Sequence, residues 1–205
     1  TSKHIAKMSH LHTLRCYRTP IKAAGIKALK PLQSHLQYLS LMLCPGIDDT
    51  AFNVLTSQFN ALREFDISQA CITDNALDCL SRLTKLDSLT LGMMRGVTIR
   101  GFKKLVQLKG SLQNLSFCYP TIDADLLLHL INNLGKLKFL RLFIMRSQAI
   151  PESVQKAAKE KGIVLDITAS KGPAIVPSAQ KKWMKKNPHH QNLKNKIKKK
   201  QGNSK

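Results

Sequence analysis

The sequence predicts an α/β fold: a solenoid with parallel strands on a concave face and helices on a convex face, followed by a basic carboxy-terminal tail. Three observations lead there. A leucine motif recurs at a near-constant interval, a second apolar series with helical spacing lies inside each interval, and helix-start residues sit between the two. Leu11, Leu36, Leu62, Leu86, Leu112 and Leu137 each open a Leu-x-x-Leu-x-Leu-like unit. A period of roughly 25 residues marks a repeat architecture.

The strand motif reads Leu36-Gln37-Tyr38-Leu39-Ser40-Leu41, Leu62-Arg63-Glu64-Phe65-Asp66-Ile67, Leu86-Asp87-Ser88-Leu89-Thr90-Leu91, Leu112-Gln113-Asn114-Leu115-Ser116-Phe117 and Leu137-Lys138-Phe139-Leu140-Arg141-Leu142. Fainter copies flank them, with Leu11, Leu14 and Cys16 before and Leu165 and Ile167 after. Residues two apart, such as Leu89 and Leu91, share one face of a strand, while Ser88, Thr90 and Gly92 point the other way. Helical trios follow: Phe52, Leu55 and Phe59; Leu77, Leu80 and Leu83; Phe102, Leu105 and Leu108; Leu127, Leu130 and Leu134. Asp48 and Asp49, then Thr73 and Asp74, then Thr98, stand where start signals for the first three helices belong. One such unit cannot bury its own apolar face. Stacked units bury a continuous core between strands and helices.

The repeats span residues 1–170 as one domain of about six to seven units, and residues 171–205 differ in kind. That segment holds eleven lysines, no acidic residue, and Pro173, Pro177 and Pro188. So little apolar surface cannot repay chain entropy, so the tail is expected to be disordered unless bound. The 22 cationic residues before the tail outnumber the twelve carboxylates there by ten, so both parts are basic. The first thirty residues contribute Lys3, Lys7, Arg15, Arg18, Lys22, Lys27 and Lys30 without one carboxylate. Such fields favour phosphate polyanions or acidic protein surfaces.

The five cysteines, Cys16, Cys44, Cys71, Cys79 and Cys118, are odd in number and lack close-paired spacing, so a reducing, intracellular setting is expected rather than a disulfide scaffold. The most apolar stretch, Leu126 to Met145, is broken by His129, Asn132, Asn133, Lys136, Lys138 and Arg141, which argues against a membrane span. Thr1 is not a start methionine, so upstream sequence is expected.

The residues after the strands resemble the cysteine-containing class of leucine-rich repeat, whose units run Leu-x-x-Leu-x-Leu-x-x-Cys-x-x-Ile-Thr-Asp-x-x-Leu. Leu36 to Asp49 follows that order with Cys44, Ile47 and Asp48, and the next unit supplies Cys71-Ile72-Thr73-Asp74 with Leu77. Later units depart from it, with Met94, Pro120 and Met145 at the cysteine position. Many members of that family are substrate receptors of ubiquitin ligases, with an F-box ahead of the repeats. The resemblance therefore implies, as the alternative function, the substrate-recognition part of such a receptor with its F-box outside this chain.

Catalysis has little support: no nucleophile with a matched base, paired carboxylates, phosphate loop or metal-spaced cluster emerges. His10 and His12, and His189 with His190, lack further ligands at metal spacing and read as solvated. Cys44 and Cys71 read as small buried side chains in the turn after each strand rather than reactive thiols. No enzyme activity, cofactor, metal, membrane or small-molecule substrate is expected.

Protein recognition is expected on the outward strand positions. Phe139 and Phe143 flank Arg141, residue types enriched at interface hot spots, and Tyr17, Tyr38 and Met42 form a second patch. RNA binding is expected from Lys181, Lys182, Trp183, Lys185, Lys186, Lys194, Lys196, Lys198, Lys199 and Lys200, where the indole can stack on a base. The same lysines would serve as a nuclear or nucleolar address. The function expected is a non-catalytic scaffold that binds protein through its strand face and holds a ribonucleoprotein particle, such as an assembling ribosome carrying ribosomal RNA, through its basic ends. A nuclear or nucleolar location follows, with the mitochondrial matrix or cytoplasm as alternatives.

Overall fold

A computed structural model describes residues 2–118, 123–145 and 149–170, all within one compact unit, Thr1–Pro173. Strands β1 (Thr13–Arg15), β2 (Tyr38–Ser40), β3 (Glu64–Asp66), β4 (Ser88–Gly92), β5 (Asn114–Cys118), β6 (Phe139–Met145) and β7 (Val164–Ser170) pair in parallel, in chain order, as one seven-stranded sheet. The register is the same from unit to unit: Leu14, Leu39, Phe65, Leu89, Leu115, Leu140 and Leu165 form one row across the sheet. All but the last, on the sheet edge, are buried. Each motif expected to be a strand is one, and the two faint copies are β1 and β7.

The backbone repeats the register in its hydrogen bonds. The carbonyls of His12, Gln37, Arg63, Asp87 and Gln113 each accept two N–H groups from the residues that start the following strand, at 2.8–3.0 Å. Parallel pairing needs a long crossover between strands, and each crossover here carries helical backbone. Among the described residues these are α2 (Ala23–Ala28), α3 (Asp49–Gln58), α4 (Ile99–Lys103), α5 (Ala124–Asn133) and α6 (Glu152–Glu160), with 3₁₀ segments at Lys30–Leu32, Ala76–Arg82 and Lys104–Leu108, while α1 (Ser2–Ile5) precedes β1.

Two of the four expected helices are thus wholly or partly 3₁₀, and the spacing of their leucines explains why. Phe52, Leu55 and Phe59, like Leu127, Leu130 and Leu134, alternate steps of three and four, which follow an α-helical face. Leu77, Leu80 and Leu83, and Phe102, Leu105 and Leu108, step by three and three, which eclipse in a helix of three residues per turn. Length agrees for the shortest unit: seven 3₁₀ residues rise about 14 Å, against about 15 Å for the ten α-helical residues of α3.

The start signals need a correction. Asp48 caps α3, accepting the Ala51 N–H at 2.8 Å, and Asp123 caps α5, accepting that of Leu126 at 2.7 Å. Thr98 occupies the N-cap position of α4 without a side-chain cap hydrogen bond, and Thr73 and Asp74 lie ahead of Asn75, which holds that position in the 3₁₀ segment. Asp49 instead accepts the backbone N–H of Thr73 at 2.7 Å together with its hydroxyl, and Asp74 does the same for Thr98 at 2.7 Å. Each carboxylate therefore clamps its unit to the next. Gly101 packs against the second clamp so closely that a Cβ there would lie 2.2 Å from Asp74 Oδ1.

One core runs the length of the described unit, between the sheet and the helical side. Aromatic pairs tie the layers together: Phe52 of α3 stacks on Phe65 of β3 at 6.1 Å, and Phe102 of α4 on Phe117 of β5 at 5.6 Å.

Candidate interaction surface

The alternating strands leave one face of the sheet turned from the core. Its first row is Thr13, Tyr38, Glu64, Ser88, Asn114, Phe139 and Val164, and its second is Arg15, Ser40, Asp66, Thr90, Ser116, Arg141 and Asp166. The rows differ sharply along their length, because side chains from adjacent units have satisfied some positions and left others open.

At the β1 end, the Arg15 guanidinium lies over the Tyr38 ring, 4.5 Å from its centroid, and that of Arg18 lies 5.4 Å from the centroid of Tyr17. Tyr17 is 54% exposed, while Tyr38 and Met42 are half-buried. The structure thus gathers the sequence-predicted Tyr17, Tyr38 and Met42 at one end, and adds the two arginines.

The centre is closed by its own hydrogen bonds. Asp66 accepts from the Ser40 hydroxyl at 3.2 Å and the Ser68 N–H at 2.9 Å, and the Ser68 hydroxyl accepts the Gly92 N–H at 3.0 Å. Ser40 and Ser68 are buried although they occupy outward positions. A Cβ at Gly92 would meet the Ser68 hydroxyl at 2.8 Å, so a side chain there would push that hydroxyl out of its hydrogen bond.

At the β6 end, Phe139 is 50% exposed and lies in register beside Val164, 52% exposed. Phe143 is half-buried next to Thr168. Arg141, expected to be free for a partner, is held by Asp166 at 2.6 Å. Sequence reasoning missed both Val164 and Asp166 because they arrive from β7, one repeat later; the alternation Val164, Asp166 against Leu165, Ile167 was the available signal.

Cys44 and Cys71 are buried, as read from the sequence. The Cys44 thiol donates to the Cys16 carbonyl at 3.2 Å and lies 3.3 Å from the Thr19 hydroxyl. Burial first, and the nearby Asp48 carboxylate second, push the Cys71 thiol up to about 11. At pH 8 about one Cys71 in a thousand is then thiolate, so iodoacetamide should leave Cys71 unmodified in the folded protein and label it in urea, as read by peptide mass mapping. Rapid labelling of the folded protein would contradict its burial. The sign for stability follows: the unfolded thiol ionises near 9, before the folded one, so this group's contribution is complete below pH 9 and is lost as pH rises to about 11.

Histidines His10 and His12 have a neighbour the sequence reading did not identify. His35 lies edge-on to both, with centroids 5.8 and 6.2 Å away. Among the described residues no group of three His, Cys, Asp or Glu is placed to hold a metal ion, and no helix is long and apolar enough to cross a membrane. The tail residues expected to bind RNA, Lys181, Lys182, Trp183, Lys185, Lys186, Lys194, Lys196, Lys198, Lys199 and Lys200, lie outside the described residues, as do His189 and His190.

No protein-family model and no curated protein matches the chain. Among solved structures it is similar to an internalin from Listeria monocytogenes str. 4b F2365, at 16% identity and a TM-score of 0.48, covering 86% of this chain and 52% of that one. The chain thus spans about half the length of that protein. A likeness of this degree leaves the fold to rest on this chain's own strands and hydrogen bonds.

Proposed function

We propose that the chain is a leucine-rich-repeat solenoid of the cysteine-containing class, acting as a non-catalytic scaffold. It binds protein through the outward sheet face and anchors to a ribonucleoprotein particle, such as an assembling ribosome, through its basic ends. The observation that carries this reading is the exposed Phe139 and Val164 pair on the outward face. Folding alone does not require large apolar side chains there, whereas burial against a partner makes them stabilising. Phe143 extends the patch, and Arg141, positioned by Asp166, offers its remaining N–H groups at the rim. Tyr17, Tyr38 and Met42 supply a second contact. The tail lysines add salt-sensitive attraction without sequence preference, and a nuclear or nucleolar location accompanies that role.

A second reading keeps the same face and changes the partner. The turns Cys44 to Asp48 and Cys71 to Asp74 carry the family pattern, so the face would grip the target of a ubiquitin ligase. One experiment separates the two: purification of the tagged full chain from cells, with identification of co-purifying protein and RNA. The scaffold reading expects ribosomal particles and their RNA. Phe139→Ala with Phe143→Ala should reduce the protein partners about tenfold while shifting stability by less than about 1 kcal/mol. Changing the lysines of the tail cluster to Gln should release RNA between about 50 and 200 mM salt. Recovery of ligase subunits without RNA would favour the second reading. A collapse of the melt in the Phe variant would show those rings to be buried.

A further inference from the structure

We infer that Arg15, Tyr17, Arg18 and Tyr38, gathered at the β1 end of the sheet, form a binding site for single-stranded RNA, in which bases stack on Tyr17 and the guanidiniums hold the phosphates. This rests on the reading of the chain as an RNA-particle scaffold. It places an RNA contact within the folded unit, at the tyrosine end, beside the protein contact of the same face.

Charge is the first support. Arg63 is paired with Asp87 at 3.7 Å and Arg141 with Asp166 at 2.6 Å, whereas Arg15 and Arg18 have no ion pair among the described residues. No carboxylate occurs in the first thirty residues. The nearest acidic residue on this face is Glu64, in register with Tyr38 but on β3, two strand spacings or about 9–10 Å from β1. Asp66, beside it, already accepts from Ser40 and Ser68. Glu64 therefore acts on Arg15 only as the smallest of the influences on it, behind Tyr38, and forms no ion pair with it.

Geometry is the second support. Guanidinium groups that stack on rings keep donors for phosphate oxygens and a charge that no paired carboxylate offsets, and Arg15 is further held by a hydrogen bond to Tyr38. Tyr17 is 54% exposed and Arg18 lies 5.4 Å from the centroid of its ring, which sets an exposed ring next to a cation, the pairing that stacks bases and holds their phosphates. Arg18 is held in place by its backbone. It adopts a left-handed φ of 54°, as do Leu43, Gln69 and Met93 at the equivalent turn of the next three units, and its N–H donates to the Met42 carbonyl at 3.2 Å. The turn is common to the units, but only in the first does it hold a cation.

Flat rings beside unpaired guanidiniums suit unstacked bases joined by phosphates better than an acidic peptide, which supplies charge without flat surfaces. A duplex keeps its bases stacked inside and offers Tyr17 nothing to stack on.

The test is fluorescence anisotropy of the full chain with a labelled oligouridylate of about 15 nucleotides. Tyr17→Leu should weaken binding about tenfold and Tyr17→Phe should leave it unchanged, because stacking needs the ring and not the hydroxyl. Arg15→Gln with Arg18→Gln should lower the slope of log affinity against log salt by about 1.4, the value for two phosphates of a single strand. Circular-dichroism melts confirm that each variant folds. Unchanged affinity in folded Tyr17→Leu, or equal affinity for an abasic oligonucleotide, overturns the proposal. Binding of an oligoglutamate with the same variant dependence and without RNA binding overturns it in favour of an acidic protein segment. Binding of oligodeoxythymidylate but not oligouridylate overturns it in favour of DNA. A chain with its tail lysines changed to Gln distinguishes the two levels of reading. If it loses all RNA affinity while the β1-edge variants keep theirs, the edge site fails and the scaffold reading stands. If no form binds RNA, both fail.

Discussion

Phe65→Ala is expected to destabilise the protein by about 3–5 kcal/mol, the range for removing a fully buried aromatic ring from a core. Phe65 is the inward residue of β3, and its ring stacks on Phe52 at 6.1 Å with an interplanar angle of 21°. Phe52 belongs to α3, which precedes β3 in the chain, so the pair joins sheet to helix within the stack. A repeat array is stabilised by each unit's contact with its neighbours, so the cavity weakens the interfaces on both sides of β3. Urea unfolding followed by far-UV circular dichroism measures the loss, and the melt should fall by roughly 6–20 °C for a domain of this size. Phe65→Leu, which refills most of the volume, should recover more than half of it. A loss below about 1 kcal/mol for the alanine variant would mean that the ring does not pack as described.

Asp74→Ala carries the second-largest effect, about 2–4 kcal/mol. It removes two hydrogen bonds to a carboxylate, from the Thr98 N–H at 2.7 Å and the Thr98 hydroxyl, and leaves that part-buried N–H without its acceptor. Gly101→Ala attacks the same clamp from the other side, because its new methyl would press on Asp74 Oδ1. The two should therefore be strongly non-additive. With Asp74 already shortened, the methyl at position 101 loses its clash with the carboxylate and keeps only the one with Val97 Cγ1 at 2.8 Å, so the double variant should be less destabilised than the sum of the singles by at least about 1 kcal/mol. Simple additivity in a double-mutant cycle would refute the clamp. Asp74→Asn, which keeps an acceptor for the Thr98 N–H, should cost clearly less than Asp74→Ala.

These two residues also mark how far the sequence could be read. Phe65 was legible: it occupies an apolar position in a period-two motif that recurs once in every repeat, and burial of one strand face is dictated locally. Asp74 was legible only as a helix-start residue. Its carboxylate serves Thr98, one unit away, and start residues of adjacent units become neighbours only once the units are stacked. The 3₁₀ segments lie between these cases, since steps of three and three in Leu77, Leu80 and Leu83 were visible but the shortness of that crossover acquires meaning only when its ends are tied to fixed strands.

The candidate surface divides in the same way. Tyr17 and Phe139 were found from alternation alone, because the side of a strand that a residue faces follows from its position parity. Which outward residues remain available was decided by lateral neighbours. Asp66 closes the centre by binding Ser40 and Ser68, Asp166 engages Arg141, and Arg15 and Arg18 settle on tyrosine rings without an ion pair among the described residues.

By itself, then, the sequence determined the period, the parity of the strand motifs and the core residues of those motifs and of four helical trios, all consequences of short-range spacing and burial. Ile26, Leu29, Leu32, Val154 and Ala158 of the remaining helical segments were not read, and Ile167 is exposed. Only the tertiary structure decided helix type, the Asp to Thr clamps, and the contrast between a closed polar centre and two open aromatic ends. Those features depend on side chains a whole repeat apart meeting across a sheet, and a meeting of that kind is settled by register and packing after the chain has stacked.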